Sequence, residues 1–172
     1  MNAVNVKEKQ LESVYGLTGK TARNLDPKRR LTINGPWRQL LAYPEYVYVA
    51  PVEDSDGEPY LELLPVQVVK KLSEDLSGVL EDDVLRDIKD NLFESFELVY
   101  FDSTGRIRIP DGFLEYAGIE ANVLLRGAGD RIKVSAISEE EKSSIKVKSC
   151  SGYRKVINAR RRQLQQEGRI NL

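Results

Sequence analysis

With 172 residues, 41% of them hydrophobic, the chain can bury one compact core or two small lobes, and no run of about 18 apolar residues is present to cross a membrane. The absence of histidine removes the residue on which most zinc sites and Ser-His or Cys-His catalysis depend, and the single cysteine, Cys150, excludes an intrachain disulfide. The net charge of −1 hides an uneven distribution: residues 18–40 carry six basic side chains against one acid, Asp26, whereas residues 73–90 are rich in Asp and Glu. The opening MNAVNVKEKQ lacks the basic-then-apolar layout of a signal peptide, so a cytoplasmic protein is expected.

Residues 15–65 read as a first lobe of short strands, because Leu31 and Ile33, Val47 and Val49, and Leu61 and Leu63 alternate with period two. A polar turn at residues 53–57 separates two of them. Over residues 66–95 the period becomes helical, with Val69, Leu72, Leu76, Val79 and Leu80 and then Val84, Leu85, Ile88 and Leu92, divided at Ser77-Gly78. Residues 96–137 return to strand spacing in Leu98 and Tyr100, Ile107 and Ile109, Val123 and Leu125, and Ile132 and Val134. They also contain a short helix over 111–117 that Gly118 can cap. From residue 138 onward the pattern fades into a tail. Residues 143–172 hold eight basic residues against one acid, Glu167, with a helix expected over 153–166.

Two stretches repeat one another. NLDPKRRLTINGPWRQLL, residues 24–41, aligns with YFDSTGRIRIPDGFLEYA, residues 100–117, placing Asp26 on Asp102 and Arg30 on Arg106 at a constant offset of 76 (102 − 26 and 106 − 30). In the second copy, Asp102 can accept backbone N–H bonds and Gly105 supplies the positive φ of a tight reversal, which returns Arg106 beside Asp102. Such a charge-assisted pair fixes the loop and leaves guanidinium donors pointing outward. Arg106 and Arg108 on one strand face then suit phosphate and base-edge contact. In the first copy Lys28, Arg29 and Arg30 form a cationic tip. Arg29 stands where the other copy has Gly105, so either it adopts a positive φ at a cost of about 1 kcal/mol or the turn differs.

The remaining motifs have plainer readings. Residues 127–130 (GAGD) lie between two predicted strands with no following helix or Lys-Ser/Thr, which makes them a hairpin turn rather than a phosphate cradle. Glu81, Asp82 and Asp83 sit at a helix start, where acids complement the helix dipole. Trp37 and Phe113 occupy matching positions and are expected to pack in the core, and Cys150 lies in a polar stretch as an incidental thiol.

LDPKRRLTI, FDSTGRIRIP, the lead-in YGLTGKTARNLD, YLELLP before the central helices and YAGIEANVLLRGAGDRIKV together resemble the MraZ family of bacterial transcriptional regulators, over residues 15–137. Arg29 departs from the usual glycine of the first motif, and Asn34-Gly35-Pro36 from its usual Ile-Pro ending. The resemblance implies an α+β fold of double-barrel type: two tandem AbrB/MraZ-like lobes of short strands, each with a small helix, plus connecting helices. It further implies a ring homo-oligomer that binds short direct repeats of double-stranded DNA upstream of the division and cell-wall gene cluster, at the nucleoid. The family's DNA signature falls on Lys28 and Arg30, with Asp26 as anchor.

The expected DNA-contacting residues are therefore Lys28, Arg29, Arg30, Arg106 and Arg108, with Asp26, Asp102 and Gly105 structuring the loops. No catalytic or metal-binding residue, cofactor, small-molecule substrate or membrane partner is expected. The alternative is an AbrB-like antitoxin-type or scaffold module whose loops bind a protein.

Overall fold

The computed structural model describes residues 16–78, 82–147 and 149–168, and the two halves of the chain lay down the same series of elements. The first half gives strands β1 (Lys20–Asn24) and β2 (Arg30–Thr32), helix α1 (Gly35–Leu40), and the hairpin of β3 (Tyr46–Glu53) and β4 (Pro59–Leu64). Helices α2 (Val66–Leu76) and α3 (Asp83–Glu94) follow. The series then recurs as β5 (Glu97–Tyr100), β6 (Arg106–Arg108), α4 (Asp111–Tyr116), β7 (Asn122–Gly127) and β8 (Ile132–Ala136), before α5 (Glu139–Ser143) and α6 (Tyr153–Gln166). Residues up to Lys142 form one unit and those from Ser143 another. Among the described residues no helix is long and apolar enough to cross a membrane.

The fold is α+β, and its two repeats are interleaved. The main sheet runs β1-β7-β8-β4-β3-β5, and β2 pairs with β6 in a separate two-stranded ribbon, all antiparallel. Exchanging each strand for its counterpart in the other repeat returns the same order reversed, as a twofold axis requires. The registers agree: Tyr46 faces Tyr100 across β3 and β5, and Asn122 faces Asn24 across β7 and β1. The axis passes through two cross-strand pairs, Leu31 with Ile107 in the ribbon and Glu62 with Lys133 in the sheet. At the second pair the offset has fallen from 76 to 71 (133 − 62), because the β7–β8 hairpin is the shorter one.

The alternating apolar residues of both repeats meet in one core. Leu31, Ile33, Val47, Val49, Leu61 and Leu63 join Ile107, Ile109, Val123, Leu125, Ile132 and Val134, all buried. Trp37 is buried, and its indole N–H donates to Thr18 O at 3.0 Å; Phe113, its counterpart, is half-buried against the same core. Asn34 caps α1 by accepting from Trp37 N at 2.8 Å. Gly118, with φ 62°, ends the second short helix in the left-handed conformation, as the sequence predicts. The GAGD segment is the β7–β8 turn, and Gly127 is needed there because the backbone of Leu17 and Thr18 crosses directly over its Cα.

The central helices divide after Leu76, and Asp82 caps α3 by accepting from Val84 N and Leu85 N at 2.9 and 3.2 Å. Val79, Leu80 and Glu81 lie outside the described residues. Val69 packs on Ala50 and Leu64 in a second small core, with Phe93 and Phe96 at its margin. The helical spacing in α3 does not mean burial, however: Val84, Leu85 and Ile88 are 67%, 46% and 59% exposed. In the second unit, α6 coincides with the helix expected over 153–166, and Cys150 is exposed.

Candidate nucleic-acid interface

Each Asp-x-x-x-Arg segment folds on its own aspartate. Asp26 Oδ1 accepts the backbone N–H of Lys28 at 2.9 Å and of Arg30 at 2.8 Å, while Oδ2 accepts from Arg30 Nε at 2.7 Å. The backbone closes the reversal through Asp26 N to Arg30 O at 2.9 Å and Arg29 N to Asp26 O at 2.7 Å. The second loop repeats this. Asp102 Oδ1 accepts from Thr104 N, Thr104 Oγ1 and Arg106 N at 2.9, 2.8 and 3.0 Å, and Oδ2 accepts from Arg106 Nε at 2.7 Å. Arg29 takes φ 56° where Gly105 takes 78°, so the first copy keeps the turn and accepts the backbone strain.

The ribbon pairing of β2 with β6 brings the two loops together. Arg30 Nη1 lies 3.7 Å from Asp102 Oδ2, and Arg106 Nη1 lies 3.8 Å from Asp26 Oδ2. Two carboxylates and two guanidiniums thus form a four-membered ring, each side chain about a quarter to a third exposed. The Arg30 guanidinium and backbone N–H hold the Asp26 carboxyl below its ordinary value. The Arg106 backbone N–H, with Thr104 and the Arg106 side chain, holds Asp102 well below it. Both acids are therefore ionised at neutral pH, and the ring carries two positive and two negative charges. Each arginine is turned toward the carboxylates rather than fully outward.

Any net cationic character at the loops must then come from other residues. Lys28 is exposed at the first tip, and its ammonium has no hydrogen bond or ion pair among the described residues. Arg29 Nε lies 3.0 Å from Asp111 Oδ1, at the start of α4. Arg108 Nη1 donates to Lys28 O at 2.8 Å and Nη2 lies 3.5 Å from Asp111 Oδ2. The first tip therefore gathers Lys28, Arg29 and Arg108, the two arginines sharing one acid, Asp111, which sequence spacing did not single out because its counterpart in the repeat is Gly35. The second tip, with Ser103, Thr104 and Gly105, has no cation of its own. The Arg38 guanidinium covers Gly105 there, where an added Cβ would overlap it.

No family model matches the chain. It is similar to proteins named transcriptional regulator MraZ: 31% identical over 129 residues to that of Chlorobium luteolum, covering 69% of this chain and 82% of that protein. The Mesoplasma florum protein is 31% identical over 117 residues, covering 67% and 77%, and the Leuconostoc mesenteroides protein is 29% identical over 117 residues, covering 67% and 78%. With 31% identity over most of the length of two such relatives, and with the doubled Asp-x-x-x-Arg loop in place, the chain belongs to the MraZ family.

Proposed function

We propose that this chain is a sequence-specific DNA-binding transcriptional regulator that uses its paired Asp-x-x-x-Arg loops to hold double-stranded DNA. The observation that carries the reading is the fixed pair of loops with Lys28, Arg29 and Arg108 gathered at one tip. Exposed cations on a rigid, twice-clasped scaffold suit a phosphate backbone, and Arg30 and Arg106 set the loop spacing while sharing contact with the DNA. The names of the relatives support transcriptional regulation. Family membership also supports short direct repeats upstream of a division and cell-wall gene cluster as the target, and association with the nucleoid.

Self-association belongs to the same proposal. The apolar stripe of Val84, Leu85 and Ile88 on α3 supports a homo-oligomeric ring, because copies of the chain could bury it and set several loop pairs along one duplex. The basic tail, with Arg154, Lys155, Arg160, Arg161 and Arg162 on α6, adds an auxiliary phosphate-binding element.

Titration of the protein with DNA from upstream of its own gene, followed by fluorescence anisotropy at several salt concentrations, tests the reading. Affinity should fall steeply with salt, and Lys28→Ala should weaken binding while leaving the fold intact. Light scattering should show an oligomer. Absence of binding, or binding that is flat in salt and indifferent to Lys28→Ala, would sink the DNA reading and favour a protein partner.

A further inference from the structure

The two loop tips differ in where their arginine comes from. In the first repeat the arginine is part of the loop: Arg29 occupies the left-handed turn position at φ 56°. Its counterpart in the second repeat is Gly105, 76 residues later, and that loop has no basic residue at its tip. The helices show the opposite arrangement. Arg38 on α1 corresponds to Leu114 on α4 at the same offset, and Leu114 is fully buried whereas Arg38 reaches the surface. Because the repeats are interleaved, the second loop lies against α1 of the first repeat, and Ile33 N donates to Gly105 O at 3.1 Å. Arg38 therefore projects from the first repeat over the tip of the second.

The Arg38 side chain is held there with its terminal donors free. Its Nε donates to Ile33 O at 3.1 Å, which fixes the guanidinium plane, and neither terminal nitrogen has a hydrogen bond or ion pair among the described residues. The space it fills above Gly105 is open only because that residue has no Cβ. A glycine needed for its positive φ is thus also needed for the arginine above it. A guanidinium fixed by one donor, with the opposite edge unpaired, is prepared to bind an anion through two parallel N–H bonds.

We infer that Arg38 is the phosphate-contacting residue of the second loop, supplying across the repeat boundary the charge that Arg29 supplies within the first. The inference rests on the DNA-binding reading and adds a residue to it. It also explains how a loop reading Ser-Thr-Gly at its tip can share the work of one reading Lys-Arg.

The test compares wild type with Arg38→Gln, Arg38→Lys, Gly105→Ala and Lys28→Ala on a mixed-sequence DNA duplex, with anisotropy measured between 50 and 200 mM salt. Glutamine keeps a donor for Ile33 O but removes the charge, so a loss that came only from the fold should not appear in it. If Arg38 neutralises one phosphate, removing it makes the fall in affinity over that salt range about 3.5-fold smaller for each loop engaged, since log K changes by about 0.9 per log unit of salt for each contact. Arg38→Lys should recover the salt slope but only part of the affinity. Gly105→Ala, which displaces the guanidinium, should mimic Arg38→Gln. If Arg38→Gln binds as wild type does, with the same slope, while Lys28→Ala is weakened, Arg38 is only a cover for Gly105 and the inference is wrong although the DNA reading stands. If wild type binds no DNA, both fall together.

Discussion

Truncating Ile107 to alanine tests the interleaving at its centre. Ile107 is fully buried, faces the equally buried Leu31 across the ribbon, and stands on the pseudo-twofold axis. Removing its side chain beyond Cβ from a closed core costs about 3 kcal/mol, within the usual range of roughly 2–5. For a unit of this size each kcal/mol lowers the unfolding temperature by about 4 °C, so a fall of about 12 °C is expected. The informative probe is Trp37, the only tryptophan, which is buried and lies in the other repeat. Its fluorescence should report the full shift, because β2 and β6 pair across the repeat boundary and the core they cover is shared. Leu31→Ala should shift the same signal by a similar amount, and the double substitution by less than both together, since the two truncations open one space. If Ile107→Ala left the Trp37 midpoint within about 2 °C of wild type while circular dichroism recorded an early transition, the repeats would be independent lobes and the shared-core argument would be refuted.

The clasped aspartates predict a pH dependence. Because folding lowers the Asp102 pKa, its stabilising contribution is present above the ordinary value of 3.8 and is lost as pH falls from there through the folded-state value. Asp102→Asn should therefore lower the unfolding midpoint at pH 7 more than at pH 3; a gap that widened on acidification would contradict the sign. Arg29→Gly should change stability by less than about 1 kcal/mol in thermal unfolding, because relief of the φ 56° backbone, about 1 kcal/mol, offsets an ion pair to Asp111 whose partners are 40% and 55% exposed and which is worth at most about 1. The same variant should bind DNA more weakly by anisotropy. Gly127→Ala should destabilise by roughly 1–3 kcal/mol, as its Cβ would fall within 2.6 Å of Leu17 and Thr18 backbone atoms, while Gly112→Ala, which meets nothing within 4 Å, should melt close to wild type.

The repeat, its offset and the chemistry of its turns were legible in the sequence, because an aspartate that gathers backbone N–H groups and a residue with positive φ leave a local signature. Gly105 and Gly118 declare themselves this way, and Arg29 does so by contrast with Gly105. Strand partnership leaves no such trace. The alternation in Val47 and Val49 tells which face is buried, and nothing in it says that β3 pairs with β5 rather than with β1. The site was only half legible for the same reason. Asp26, Arg30, Asp102 and Arg106 could each be matched within a loop, but the ring they form, Asp111 beneath Arg29 and Arg38 above Gly105 all arise from contacts between repeats. The exposure of Val84, Leu85 and Ile88 shows the same limit from another side: periodicity identifies an apolar face and cannot say whether this chain covers it.

Pairing β1 with β7 also sets a schedule for synthesis. The amino-terminal strand, Lys20–Asn24, finds its partner only when residues up to Arg126 have left the ribosome, roughly 100 residues later. At about 5–20 residues per second, that is an interval of roughly 5–20 s in which Leu31, Ile33, Val47 and Val49 have half of their covering missing. A nascent chain arrested before Asn122 should be cleaved readily by protease over residues 16–65, and one that has released Lys142 should resist there. Chaperones that shield apolar strands should therefore engage the growing polypeptide during that interval, and errors in its biogenesis should arise early in translation.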